Sequence, residues 1–527
     1  MQTERTVLVV VRTITTVAWL FDILPELVAD TRIQVLFTLN GRPSAYEAGV
    51  AEAVAALGGR VLPWEQAVAT DFELAISASH YGDLHQLRSP LLILPHGPGY
   101  SKTISLPGDG VAPLPATQAE TMVALSHAEQ GRQWRADDGT RPVVVGDPCF
   151  DRLVASVAQR HRYRRALGVR DDQKLILTST TWGRRAALAV APDLPARLVG
   201  ELPSDEYVVA AVLHPNIWVG HGAWQVRLWM HRALEGGLRL IPLRDGWRGA
   251  LVAADLLVGD HGSVALYAIG LGVPVVFAAF GRDELVPGTP LAELDDRAPH
   301  LDLDAPLAPQ VAAHADALGR PYDDLAARVF GEHGRALLNL RAAIYAQLDL
   351  EPPGAAPRVL PVSVPCAESQ TVRSYLVGAR VDGTSVVLER FPATVEPSHL
   401  QLPARHLAVH ADEPHTGLRE SAAVLCCTRP HQDVVQARAA SSALLRAHPG
   451  CRVAVAGDNA RRLVVSRRDG PPLLATGGVS PDVLGSAVYA SVLGNVPPAE
   501  RIGIRVGAAE HDVALTPLSR TAPQAAP

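Results

Sequence analysis

Ala254-Asp255-Leu256-Leu257-Val258-Gly259-Asp260-His261-Gly262-Ser263-Val264-Ala265-Leu266-Tyr267-Ala268-Ile269-Gly270-Leu271-Gly272-Val273-Pro274-Val275-Val276-Phe277 is the stretch on which the fold turns. It reads as a buried strand, a tight polar turn, an apolar helix and a second buried strand. Gly262 and Ser263 open the helix. A helix N-terminus carries free N–H groups and the positive end of the helix dipole, which suits a diphosphate. Ser263 reads equally well as a plain N-cap. Gly259 and Gly262 lack the full glycine spacing of a dinucleotide fingerprint.

The same alternation extends in both directions. Strands are predicted at Leu175–Ser179, Tyr207–Leu213, Arg239–Ile241, Leu256–Val258 and Val275–Phe277, with a longer helical stretch over Tyr322–Leu348. Upstream, strands are predicted at Val7–Val11, Gln34–Leu39, Arg60–Pro63, Leu74–Ser77, Leu91–Pro95 and Val143–Val145, with a helix over Ala45–Leu57. Strands alternating with helices imply a parallel sheet covered on both faces. The expected fold class is therefore α/β, with two tandem Rossmann-like domains, residues 1–150 and 151–350. Ligands bind outside the carboxyl ends of such strands, which places a site in the cleft between the two units. A Pro/Gly linker follows at 351–358, then an α+β domain over 359–519 and a disordered tail over 520–527. The α+β reading rests on a hairpin around Asp382-Gly383 and a helix over Val434–Ala447.

Composition narrows the classes. The 527 residues are 48% hydrophobic and 19% charged, so the chain is globular. A net charge of −6 gives no reason to expect nucleic acid as a partner. Lys102 and Lys174 are the only lysines, and arginine carries the remaining positive charge. Five irregularly spaced cysteines form no disulfide framework, and a cytoplasmic, reducing compartment is expected. The apolar start is read as a strand and not as a signal segment, because Arg12 interrupts it. No run approaches a membrane span. Cys426, Cys427, His431 and the nearby His406, His410 and His415 match no zinc spacing, and the adjacent cysteines inside an apolar strand are read as core. The Arg164-Arg165 and Arg461-Arg462 pairs are read as solvated, and Trp218 and Trp224 as packing residues.

Two further strand ends carry polar residues that a sheet core does not require. Pro95-His96-Gly97-Pro98-Gly99-Tyr100-Ser101-Lys102 combines a histidine, a glycine-rich turn and a lysine. Imidazole takes a proton from a hydroxyl near neutral pH, glycine admits a ligand close to the backbone, and lysine supplies a point charge for phosphate. Leu213-His214-Pro215-Asn216 ends a second strand in histidine.

Taken in order, His96-Gly97 with Lys102, His214-Pro215, and Asp260-His261-Gly262-Ser263 resemble the motifs of the CDP-glycerol glycerophosphotransferase family. Gly146-Asp147-Pro148 with Asp151, and the strand end at Thr181-Trp182, agree with that pattern. This sequence departs from it at His261-Gly262 and at Gly183, and it has Tyr267 where related enzymes often carry a carboxylate for ribose. The resemblance implies the GT-B fold and an envelope-polymer (teichoic-acid) transferase using CDP-glycerol or a similar nucleotide-diphosphate donor. It implies that His96 is the general base for an acceptor hydroxyl and that His214 is a donor-diphosphate ligand assisting departure of the leaving group. Gly97, Lys102, Thr181, Asp260, Gly262 and Ser263 would bind substrate. It implies no required cofactor, with a divalent cation only as an aid to the leaving nucleotide. A lipid-linked acceptor would place the protein peripherally at the inner face of the membrane. Two alternatives stand beside this: a UDP-sugar glycosyltransferase or 2-epimerase-like enzyme, and a non-catalytic scaffold. The sequence leaves the oligomeric state open.

Overall fold

The computed structural model describes residues 3–39, 50–56, 58–79, 82–94, 97–98, 120–133, 140–243, 246–317, 319–395, 401–494 and 500–518. The first unit contains β1 (Arg5–Val11), β2 (Ile33–Leu39), β3 (Val61–Leu62), β4 (Leu74–Ser77), β5 (Leu91–Ile93), β6 (Thr121–Leu125) and β7 (Thr140–Val144). They form one parallel sheet in the order β3-β2-β1-β4-β5-β6-β7. Val9 at its centre registers with Phe37 on one side and Ile76 on the other. Its central strands are apolar on both faces because helices cover both. Strand β6 was missed by the sequence reading: all five of its side chains are buried, so it has no period of two.

The second unit contains β8 (Lys174–Thr180), β9 (Tyr207–Leu213), β10 (Arg239–Ile241), β11 (Leu256–Gly259) and β12 (Val275–Phe277). Their order is β10-β9-β8-β11-β12, again all parallel. The strand order reverses between β8 and β11, and in an open α/β sheet the crevice opens at that switch.

The helical stretch expected over Tyr322–Leu348 is two helices, Asp323–Val329 and Ala336–Gln347. The break carries Glu332 and Gly334 at positive φ, and Asp151 accepts the amides of Gly334 at 2.7 Å and Ala336 at 3.0 Å. Beyond this break the chain crosses back, so that helix Ala336–Gln347 packs on helix Ile14–Val28 of the first unit. Tyr345 Oη donates to Asp30 at 3.0 Å across that contact.

Residues 351–373 form a strap pinned along its length. Arg358 pairs with Glu26, the Tyr163 hydroxyl donates to the Val362 carbonyl, and Glu368 bridges to Leu240 at the β10 edge. The expected α+β domain is a closed barrel of β13 (Ser374–Asp382), β14 (Ser385–Pro392), β15 (His406–His410), β16 (Val424–Cys426), β17 (Val453–Gly457), β18 (Leu463–Arg467), β19 (Leu473–Thr476), β20 (Arg501–Val506) and β21 (Ala509–Pro517). Helix Pro481–Leu493 is buried nearly all round and packs against six of these strands. Helix Val434–Ala447 lies outside, over β17 and β18. Cys426 faces the barrel core.

Candidate functional site at the switch point

Asp260 follows β11 directly and is buried. Its Oδ1 accepts the amides of Thr181 at 3.1 Å and Gly262 at 3.0 Å. Its Oδ2 accepts the Thr181 amide at 2.8 Å, the Ala187 amide at 2.9 Å and the Thr180 hydroxyl at 3.2 Å. One carboxylate thus ties the end of β8, the turn after β11 and the start of the next helix into a single rim. Thr181, also buried, contributes its amide to that rim. Both residues are ones expected to touch substrate; their described hydrogen bonds build the rim of the crevice.

The turn delivers Gly262 and Ser263 to the entry of helix Val264–Leu271. Ser263 is exposed and its side chain makes no capping hydrogen bond. The helix ladder begins with the Ala265 amide on the Gly262 carbonyl and the Leu266 amide on Ser263. The Ser263 and Val264 amides have no acceptor among the described residues. A side chain at Gly262 would put its Cβ 3.1 Å from Asp260 Oδ1, so the turn is already full there.

His214 ends β9 and caps helix Pro215–His221: its Nδ1 accepts the Asn216 amide at 3.1 Å. In the neutral ring this leaves the proton on Nε2, which is then a donor. The half-exposed Trp182 indole stands 6.3 Å from the His214 ring. From the first unit, Gly97 reaches the same place: its Cβ position lies 3.6 Å from Ser263 Oγ. Gly97, Thr181, His214, Asp260, Gly262 and Ser263 therefore gather at the mouth of the second sheet. His96 and Lys102 lie outside the described residues.

His261 was noted only as a departure from the pattern. It is fully buried, with Nδ1 accepting the Gly281 amide at 3.0 Å and Nε2 meeting Glu284 at 2.9 Å. This joins the turn after β11 to the loop after β12. The adjacency of those two strands was the signal that could have found Glu284.

Tyr267 is buried beneath the helix entry and donates to Asp147 at 3.0 Å, so it does not face the crevice. Asp147 caps helix Pro148–Ser156 by accepting the Phe150 amide at 2.8 Å. Burial pushes its carboxyl up to about 6 in spite of these two hydrogen bonds.

Other expectations are corrected by burial. Arg164 is not solvated: it is buried, pairs with Asp255 at 2.7 Å and donates to the Gln173 carbonyl at 2.6 Å. Trp218 packs inside, whereas Trp224 is 73% exposed and packs on little. Lys174 pairs with Asp316. Among the described residues no cluster of three or more His, Cys, Asp or Glu side chains is arranged to hold a metal ion. Nor is any described helix long and apolar enough to cross a membrane.

No protein family and no curated protein matches the sequence. Among solved structures, the chain is similar to the wall teichoic acid polymerase TagF, at 14% identity and a TM-score of 0.44, over 65% of this chain and 89% of that one. It is also similar to a UDP-GlcNAc 2-epimerase from Neisseria meningitidis bound to UDP-GlcNAc, at 13% identity and a TM-score of 0.38, over 65% of this chain and 99% of that one. A putative UDP-N-acetylglucosamine 2-epimerase from Listeria monocytogenes is similar at 16% identity and a TM-score of 0.42, over 67% of this chain and 99% of that one.

Proposed function

We propose that this chain moves a glycerophosphate, polyol-phosphate or glycosyl group from a nucleotide-diphosphate donor, CDP-glycerol or a close analogue, to an acceptor hydroxyl in envelope-polymer synthesis. The observation that carries the reading is one crevice with three donor types. These are the Ser263 and Val264 amides, which have no acceptor among the described residues, the Ser263 hydroxyl, which makes no capping bond, and His214. Together they suit the oxygens of a diphosphate. In the phosphoryl version, His96 takes the acceptor proton and the new P–O bond forms. The bond between the two donor phosphates breaks, and the nucleotide leaves with that electron pair as His214 donates to it. A positioned base contributes roughly 10²–10⁴ in rate, and positioning with charge stabilisation contributes the rest. Lys102 adds charge to the same phosphates. The transfer needs no resident metal; a divalent ion acts only on the departing nucleotide. The acceptor is lipid-linked, and the protein works in the cytoplasm, peripherally at the inner face of the membrane.

Thermal unfolding with CDP, CMP, UDP, GDP and ADP tests this. A ligand at one hundred times its Kd adds about 2.7 kcal/mol. CDP is expected to stabilise selectively, and His214→Asn to abolish the effect. Asparagine keeps an N-cap acceptor, so loss of the ligand shift is separable from loss of the cap. Selective stabilisation by UDP transfers the reading to nucleotide-sugar chemistry. No stabilisation by any nucleotide removes the donor site and leaves the scaffold.

A further inference from the structure

Helix Ala223–Trp229 begins one short helix and one glycine after His214. Val226 and Met230 are buried beneath it. Its outer face carries Trp224, Leu228 and Trp229, which are 73%, 51% and 51% exposed. Arg227 does not soften this face: its guanidinium is held by Glu368 of the strap at 2.7 and 2.8 Å, which pins the helix with the apolar residues outward. Scattered single apolar residues on a surface need no explanation, but an adjacent Trp–Leu–Trp set does.

Charge indicates what covers it. From Tyr207 to Leu234 the chain itself has no carboxylate, although it holds 54 in 527 residues; Glu206 and Glu235 flank the stretch, Glu235 meets His231, and Glu368 is taken up by Arg227. The exposed cation Arg232 lies just beyond the helix and makes no described ion pair. Tryptophan is the side chain best suited to a lipid–water boundary, where its ring sits at headgroup depth. A short amphipathic surface with leucine, tryptophan and arginine lies in the plane of such a boundary.

We propose that helix Ala223–Trp229 is the surface on which this protein contacts an anionic lipid bilayer. Trp224 and Leu228 enter the headgroup region and Arg232 meets lipid phosphate. The proposal rests on the reading that the acceptor is at a membrane, and it adds the face that meets that membrane.

Full-length protein is sedimented with phosphatidylglycerol vesicles and with phosphatidylcholine vesicles, and compared with the Trp224→Ser/Leu228→Ser double variant. Binding to the anionic vesicles is expected, with a blue shift in tryptophan emission, and at least a tenfold loss in the variant. Thermal stabilisation by CDP is read separately on the same variant and stays unchanged, so failure of the donor reading is not mistaken for failure of the surface. Three results overturn the proposal: no vesicle binding by the parent protein, equal binding by the variant, or a dimer in sedimentation velocity that Trp224→Ser dissolves while vesicles bind nothing.

Discussion

Asp260 is a buried carboxylate that acts as a joint in the fold at the mouth of the crevice. Its two oxygens accept five hydrogen bonds from four donors in three segments. Asp260→Asn exchanges one acceptor oxygen for an amine that faces backbone N–H groups. It should cost roughly 1–3 kcal/mol in urea unfolding, the penalty for buried groups left unpaired, and should also abolish nucleotide stabilisation. Asp147 behaves differently. Its carboxyl, raised to about 6 from an ordinary 3.8, favours the protonated form in the folded state. The stability it contributes is complete below pH 3.8 and is lost as pH rises through 6, a difference of about 3 kcal/mol at ~1.4 kcal/mol per pH unit. Denaturant titrations at pH 4, 5, 6 and 7 should show that decline in the parent protein. In Asp147→Asn, which keeps a cap, this component of the pH dependence should disappear.

At the scale of elements, two helices depend on glycines that leave no room for a methyl group. Gly485 lies in the helix inside the barrel, where a Cβ would stand 2.5 Å from Val424 Cγ1 and 3.1 Å from Val455 Cγ2. Gly485→Ala should destabilise the barrel by about 1–3 kcal/mol, the usual range for overpacking, as read by chemical denaturation. Gly270, in the helix whose N-terminus faces the crevice, is as tight against Phe150 at 2.6 Å and Phe330 at 2.8 Å. Gly270→Ala should shift that helix and weaken nucleotide stabilisation without touching any donor group. A full nucleotide response from this variant would mean that the helix entry does not hold the donor.

Across the whole molecule, the barrel is joined to the second unit through charge. Arg390 of β14 pairs with Asp205 at 2.6 Å and with Asp482 at the start of the barrel's inner helix, and its guanidinium lies 4.6 Å from the centre of the Tyr375 ring. Both carboxylates are buried. Arg390→Ala strands them, and breaking a buried pair in this way costs about 3–5 kcal/mol. Calorimetry should show the barrel melting as a separate, earlier transition.

Much of this was legible in the chain. Tyr207–Leu213, Arg239–Ile241 and Val275–Phe277 stand where their β-branched runs end, because a strand buried on both faces needs a continuous apolar segment and punctuation at its ends. The polar residues just past those segments, His214 and Asp260–Ser263, were visible as chemistry for the same reason. What the sequence could not hold is decided by contacts between distant segments. Hairpin and helix signals look alike in an α+β sheet and in a closed barrel, since closure depends on β13 pairing with β15. The burial of Tyr267 and Arg164, the return of helix Ala336–Gln347 to the first unit and the use of Asp260 as a joint arise from partners dozens to hundreds of residues away. By itself the sequence determined most strands of the two α/β units, β6 excepted, and the polar residues at their ends, because local apolar runs and turn residues encode them. Only the tertiary structure decided which polar groups face the crevice and which are used up in building it, because hydrogen-bond partners are settled by packing in space.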